Sequence, residues 1–271
     1  MGAEQTRSRP DPAVGPGAGA ADSSDAEGAL SLRGVSKRYG RLTVLDQVSL
    51  EIAPGEQRAI IGPNGAGKTT LFNVIAGDTS ASEGTVAFDS HDITRLPGHR
   101  RARRGISRTF QITTLFPELT SLENVLLALQ VGTRRRFAPS SSWGDELLER
   151  ARDLLRRIDL DSKTGSTVAE LSHGEQRQIE ICVASARRPR LLLLDEPAAG
   201  LAQADLPLIT ETLSELCAGV TLMLIEHDMS LVFGVAEKVT VLHHGRVVAD
   251  GSVDEVRADP KVQEVYLGNL A

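Results

Sequence analysis

Eight consecutive residues, Gly62-Pro63-Asn64-Gly65-Ala66-Gly67-Lys68-Thr69, fit the pattern G-x-x-x-x-G-K-[ST], which has a physical meaning only between a strand and a helix. Both neighbours can be read. Gln57 to Ile61 is a short apolar run ending at the glycines, and Lys68 to Ala76 carries Leu71, Phe72 and Ile75 at helical spacing before Gly77. Such glycines permit a tight turn whose backbone N–H groups face inward, and the helix start beyond adds partial positive charge, so the segment suits phosphate oxygens. Lys68 is then placed to reach the outer phosphates and Thr69 to offer its hydroxyl to Mg²⁺.

A phosphate loop of this kind needs a parallel sheet, and the sequence supplies its strands. Leu191 to Leu194 and Val220 to Ile225 are apolar without alternation, as expected of strands buried on both faces. Helical spacing connects them: Ile179, Cys182, Val183 and Ala186 follow Ser172, and Asp205 to Leu216 forms another helix. Leu30, Leu32 and Val35, then Val44, Leu45, Val48, Leu50 and Ile52, with Gly40 and Pro54-Gly55 as turns, predict an N-terminal antiparallel β lobe. Leu122 to Val131 and Trp143 to Leu160 predict an inserted α-helical lobe at about 112–170. The class is α/β: a P-loop nucleotide-binding core with a parallel sheet, flanked by those two lobes. Residues 1–29, rich in Gly, Ala, Pro, Ser and Asp without an aromatic residue, are expected to be a disordered arm.

Composition removes several alternatives. Thirty Lys and Arg against 36 Asp and Glu give a net charge of −6, which argues against a chain built to coat nucleic acid. No apolar run approaches the roughly 20 residues needed to cross a bilayer, and the N-terminus lacks a signal peptide's apolar stretch, so a cytosolic protein is expected. Cys182 and Cys217 make neither a disulfide framework nor a metal set and are expected in the core. Arg100, Arg101, Arg103, Arg104 and Arg108 read as a solvated basic helix, and His243-His244 as a turn before Gly245.

Three further segments carry chemistry. Asp195-Glu196 ends a buried strand beside the phosphate loop, with Asp195 suited to hold the metal and Glu196 to take a proton from attacking water. His227 follows a second such strand at the same sheet edge, placed for the γ-phosphate or that water, and the amide of Gln111 suits Mg²⁺ or water. In Leu171-Ser172-His173-Gly174-Glu175-Gln176, Ser172 can cap the next helix and Gly174 lets a phosphate approach the backbone.

Phosphate loop, Gln111, the Ser172 segment, Asp195-Glu196 and His227 occur in the order found in the ATP-binding-cassette ATPases, which the chain resembles over residues 30–268. The resemblance implies an ATPase using ATP and Mg²⁺, with Gly62 to Thr69 and Thr70 on the nucleotide and Tyr39 stacked on adenine. It makes Thr69, Gln111 and Asp195 the metal-side residues and Glu196, His227 and Gln111 the catalytic ones. It also implies a head-to-tail dimer, with an identical or homologous second ATPase subunit, in which Ser172, Gly174 and Glu175 act in trans. Phe110 to Phe116 and the helical lobe would receive the coupling helix of a transmembrane permease, at the cytoplasmic face of the inner membrane. A substrate-binding protein would then be an indirect partner, and no nucleic acid is expected.

Leu171 to Glu180, Asp195 to Leu201, Ile225 to Met229 and Val265 to Gly268 look most like the ATPase subunits of branched-chain amino acid importers. Urea and short-amide importers and the lipopolysaccharide export ATPase stand nearby. A soluble cassette acting on DNA or the ribosome is the rival of another class; such chains usually carry two cassettes, long coiled coils or zinc cysteines, none of which occurs here. Two departures stand out. His173 replaces the usual first glycine of the signature, and Ala202 stands where the interface loop usually carries Asp or Asn, removing a polar contact.

Overall fold

Two sheets divide the molecule, and the alternation of side chains along the central strands explains how both are covered. The computed structural model describes residues 29–109, 115–130 and 144–267, with no side-chain description for 265–267. An antiparallel sheet is formed by β1 (Leu30–Tyr39), β2 (Leu42–Ile52), β4 (Glu83–Phe88) and β5 (His91–Asp92), in the order β2-β1-β4-β5. The larger sheet has the order β10-β9-β3-β8-β7-β6. Its members are β3 (Gln57–Ile61), β6 (Ile106–Arg108), β7 (Leu191–Asp195), β8 (Thr221–Ile225), β9 (Lys238–His243) and β10 (Arg246–Ser252). Every pairing in it is parallel except that of the edge strand β10 with β9.

Successive residues of β7 enter different cores. Leu191 and Leu193 pack with Met223 and Ile225 against α1 (Lys68–Ala76) and the antiparallel sheet. Leu192 and Leu194 pack with Leu222 and Leu224 against α5 (His173–Ser185), α6 (Leu206–Leu216) and α7 (Met229–Val235). A strand with two apolar surroundings has no polar face to show, which is why its sequence does not alternate. Cys182 and Cys217 lie buried in this second core, and their thiols are pushed up to about 12 by burial.

The helices after the phosphate loop's strand follow the predicted spacing closely. Gly77 ends α1 in the left-handed region, its N–H donating to Asn73 O at 3.1 Å. α3 (Ser121–Gln130) and α4 (Asp145–Arg157) lie between β6 and α5 in the chain and contribute Val125, Leu126, Leu129, Ala151 and Leu155 to the second core. Asn124, only 3% exposed, clasps the turn before α3: it accepts the Phe116 N–H and donates to the carbonyls of Phe116, Leu119 and Thr120. The turn that joins β9 to β10 is His244-Gly245, whereas His243, expected in the turn, is the last residue of β9 and pairs with Arg246.

The basic run is not a solvated face throughout. In α2 (Gly98–Arg103) the Arg101 side chain turns inward, and the residue is 1% exposed. It donates to the carbonyls of Val74 at 2.6 Å, Ile75 at 2.8 Å, Leu96 at 2.8 Å and Thr94 at 3.1 Å. The last carbonyls of a helix lack partners within it, and a cation there is doubly favoured by hydrogen bonding and by the helix dipole. Arg108, at the end of β6, also points inward; Arg100, Arg103 and Arg104 are exposed as expected.

Candidate functional site

The carboxyl ends of β3, β7 and β8 meet at one edge of the parallel sheet, the edge where open α/β sheets bind ligands. β3 leads into the glycine loop. Gly62 has φ +148, and a β carbon there would lie 2.0 Å from the Leu242 carbonyl oxygen of β9. At Gly67, with φ +103, it would lie 2.8 Å from Val44 O of β2. Neither position accepts a side chain, so the loop's path is fixed by strands from both sheets. Gly67 is also the N-cap of α1, and no side chain caps that helix, leaving its first amides open to an anion.

Lys68 folds back over the loop, its Nζ donating to Gly62 O at 2.7 Å and Pro63 O at 3.1 Å. Burial lowers its pKa, partly offset by the carboxylates of Glu196 and Asp195, which therefore share its electrostatic surroundings. The structure thus brings together the loop, Lys68, Asp195 and Glu196. Tyr39 is 49% exposed at the end of β1 and pairs with Leu42 across the hairpin whose Val44 touches Gly67.

Asp195 is the last residue of β7 and is 1% exposed. Its Oδ2 accepts from Arg108 Nη2 at 3.1 Å, while Oδ1, also buried, accepts no hydrogen bond among the described residues. An unpartnered buried carboxylate oxygen on a residue that shares the electrostatic surroundings of Lys68 fits a hard divalent cation. Among the described residues no group of three or more His, Cys, Asp or Glu could hold a metal. That donor set suits Mg²⁺, which keeps several waters and takes phosphate oxygens rather than an all-protein cage.

Glu196 has a positive φ of 51, a conformation that costs a non-glycine residue of order 1 kcal/mol or more and persists only where its surroundings enforce it. Its N–H donates to Ile225 O at 2.9 Å, and its carbonyl accepts from Arg177 Nη2 at 2.7 Å. Arg177 lies on α5 and is itself held by Glu180 at 2.6 Å. The helix that begins at Ser172 is thereby tied to Glu196.

His227 follows β8, with its side chain 69% exposed. The segment it occupies is held by Glu226, which is 1% exposed and accepts from the amides of His227 at 2.8 Å and Asp228 at 3.1 Å. Glu226 also reaches the loop after β7 through Ala198. Asp228 connects onward, accepting from Gln203 Nε2 at 3.1 Å. Burial raises the Asp228 pKa, but the amides of Leu231 and Ser230 and the Gln203 side chain outweigh it, so the net shift is downward. Gln203 follows Ala202, which precedes a short 3-10 turn at Gln203–Asp205.

Ser172 caps α5 through a reciprocal pair: its hydroxyl accepts the Glu175 N–H at 3.3 Å, and the Glu175 carboxylate accepts the Ser172 N–H at 2.8 Å. That backbone bond lowers the Glu175 pKa. Among the described residues no hydrogen bond or ion pair joins Ser172, Gly174 or Glu175 to the phosphate loop. Gln111, named from the sequence for metal and water contacts, and Phe110 lie outside the described residues.

Sequence reasoning missed Glu226, Arg177 and Arg108. Only Glu226 carried a visible signal, as an acid directly following the four apolar residues that end β8.

Comparison with known proteins agrees with this arrangement. A family model described as ABC transporter matches residues 45–199, and one described as branched-chain amino acid ATP-binding cassette transporter matches residues 246–269. The high-affinity branched-chain amino acid transport ATP-binding protein LivG of Escherichia coli K12 is 38% identical over 248 residues, covering 88% of this chain and 97% of the relative. The structure of the ATP-binding cassette MJ1267 in its ADP conformation superposes with a TM-score of 0.78 at 34% identity, covering 89% of this chain and 98% of the other. A dimeric post-hydrolysis structure of the cassette MJ0796 with ADP and Pi gives 0.69 at 29% identity, over 83% and 98%.

Proposed function

The chain belongs to the ABC transporter family of ATP-binding cassettes and is an ATPase, and from that premise we propose that it is the energy-coupling subunit of an importer for branched-chain amino acids. The observation that carries the substrate class is the match of residues 246–269 to the tail family of branched-chain amino acid cassettes, together with the LivG similarity across the whole cassette. Residues 30–268 form its ATPase domain, with the helical lobe at about 112–170.

In this reading two copies, or this chain and a homologue, face each other head to tail over ATP. The open amides of α1 and the Lys68 ammonium hold the phosphates, and Tyr39 stacks on the base. Gly62 to Thr70 line the triphosphate, and Ser172, Gly174 and Glu175 grip it from the opposite subunit. Among the described residues they make no hydrogen bond or ion pair to their own phosphate loop, which supports a role in trans. Thr69, Gln111 and Asp195 would hold Mg²⁺, which supplies charge neutralisation on the phosphates. Glu196 takes a proton from the attacking water while His227 contacts the γ-phosphate side, and the Glu226 bonds keep the two loops in register. Closure and reopening of the pair move the attached permease subunits at the cytoplasmic face of the membrane, where this chain sits peripherally. Among the described residues no helix is long and apolar enough to cross a membrane.

The deciding experiment is uptake of labelled leucine by cells or vesicles carrying the native chain or the Glu196→Gln variant with its permease. Uptake that needs the native chain and is competed by isoleucine and valine supports the reading. Uptake indifferent to the chain, or competition by urea instead, overturns the substrate class.

A further inference from the structure

Asp195 is a carboxylate whose side chain has no solvent exposure, and a charge in that position is costly unless it is paired. Its ion-pair partner is Arg108, which reaches Oδ2 at 3.1 Å from the edge strand β6, where Arg108 lies in register with Leu193. The other prong of the guanidinium is anchored elsewhere. Nη1 donates to Asn73 Oδ1 at 2.5 Å and to Asp78 Oδ2 at 2.7 Å. Asn73 is in the last turns of α1 and Asp78 follows its Gly77 cap, so the helix that opens at the phosphate loop holds, at its far end, the cation that grips Asp195.

A planar fork fixed at one side by two oxygens and engaging a single carboxylate oxygen at the other does more than neutralise charge. It sets which oxygen of Asp195 is committed and which is left, and the one left is the buried Oδ1. We propose that Arg108 is a positioning residue: by holding Asp195 through Oδ2, with Asn73 and Asp78 as its anchors, it reserves Oδ1 for a divalent cation, directly or through water. The inference rests on the reading of Asp195 as a metal-side carboxylate and extends it to a group outside the recognised motifs. A lysine cannot replace this fork, because a single ammonium lacks the two separate nitrogens that bond Asn73 and Asp78 on one side and Asp195 on the other.

The test measures Mn²⁺ binding to the full chain with ATP by electron paramagnetic resonance, beside ATP binding alone in EDTA. In Arg108→Lys and Arg108→Gln the Mn²⁺ concentration for half-saturation rises about tenfold or more, while ATP affinity in EDTA holds within about twofold. Asp78→Asn, at a half-exposed anchor that does not touch Asp195, shifts Mn²⁺ in the same direction by about threefold and keeps the fold if the arginine variants do not. Unchanged Mn²⁺ saturation in these variants overturns the proposal, even if they lose thermal stability. Asp195→Asn separates the two readings: if it too leaves Mn²⁺ binding unchanged, the metal-side assignment of Asp195 fails. If it alone weakens binding, only the role of Arg108 fails.

Discussion

Glu226 Oε1 accepts the Ala198 N–H at 2.8 Å, joining the loop after β7 to the residue that follows β8. Its other oxygen holds His227 and Asp228, so a single buried carboxylate sets the spacing of the two loops that carry Glu196 and His227. In Glu226→Gln one oxygen remains, and the amide nitrogen is turned toward backbone donors. The expected result is ATP hydrolysis about tenfold slower or more with ATP affinity largely kept, read from steady-state turnover beside equilibrium binding. Equal losses in both would point to general unfolding instead.

Glu196→Gln keeps the shape of the side chain and removes its capacity to accept a proton. ATP binding is expected to persist while hydrolysis falls at least about 100-fold. Near-normal turnover would take Glu196 out of the proton-accepting role.

Lys68→Ala removes the ammonium that Gly62 and Pro63 hold in place. A charge-assisted contact to phosphate is worth about 1.5–3 kcal/mol, so the dissociation constant for ATP should rise about tenfold or more. A titration giving unchanged affinity would count against the loop as the nucleotide site.

Arg101→Met keeps most of the buried volume but strands the carbonyls of Val74, Ile75, Leu96 and Thr94. Urea denaturation should show a loss of about 3 kcal/mol, against no more than about 0.5 kcal/mol for Arg103→Met on the exposed face of the same helix.

The capping pair at Ser172 makes stability depend on pH in a defined direction. The Ser172 N–H lowers the Glu175 pKa, so the folded chain gives up this proton more readily than the unfolded one. The resulting stability is present above the ordinary carboxylate value and is lost as pH falls through the lowered one. Comparing the native chain with Glu175→Gln by urea denaturation, the native advantage at pH 7 should fade toward zero on acidification. An advantage that grows in acid would contradict the cap.

The phosphate loop, its helix and the strands β7 and β8 were legible because each carries a long signal: fixed glycine spacing, or five residues buried on both faces. β6 was not. It has three residues, Ile106–Arg108, too short for any period, and it sits inside an arginine-rich stretch that reads as a solvent face. What turns Arg101 and Arg108 inward includes the acceptors at and just after the end of α1, Val74 and Ile75 for Arg101 and Asn73 and Asp78 for Arg108, which lie 26 to 35 positions earlier. Glu226 was passed over for a related reason: its partner Ala198 lies 28 residues away, and an acid beside a histidine draws attention to the histidine. Local pattern reports which groups are present, whereas long-range partners decide which of them are buried.

Both native thiols, Cys182 and Cys217, have a practical consequence for watching this machine move. At neutral pH they offer essentially no thiolate, so maleimide chemistry should pass them by. A single reporter cysteine on the exposed Ala202 could then be labelled in the otherwise native chain, turning the proposed subunit closure into a fluorescence signal without first stripping sulfur from the core.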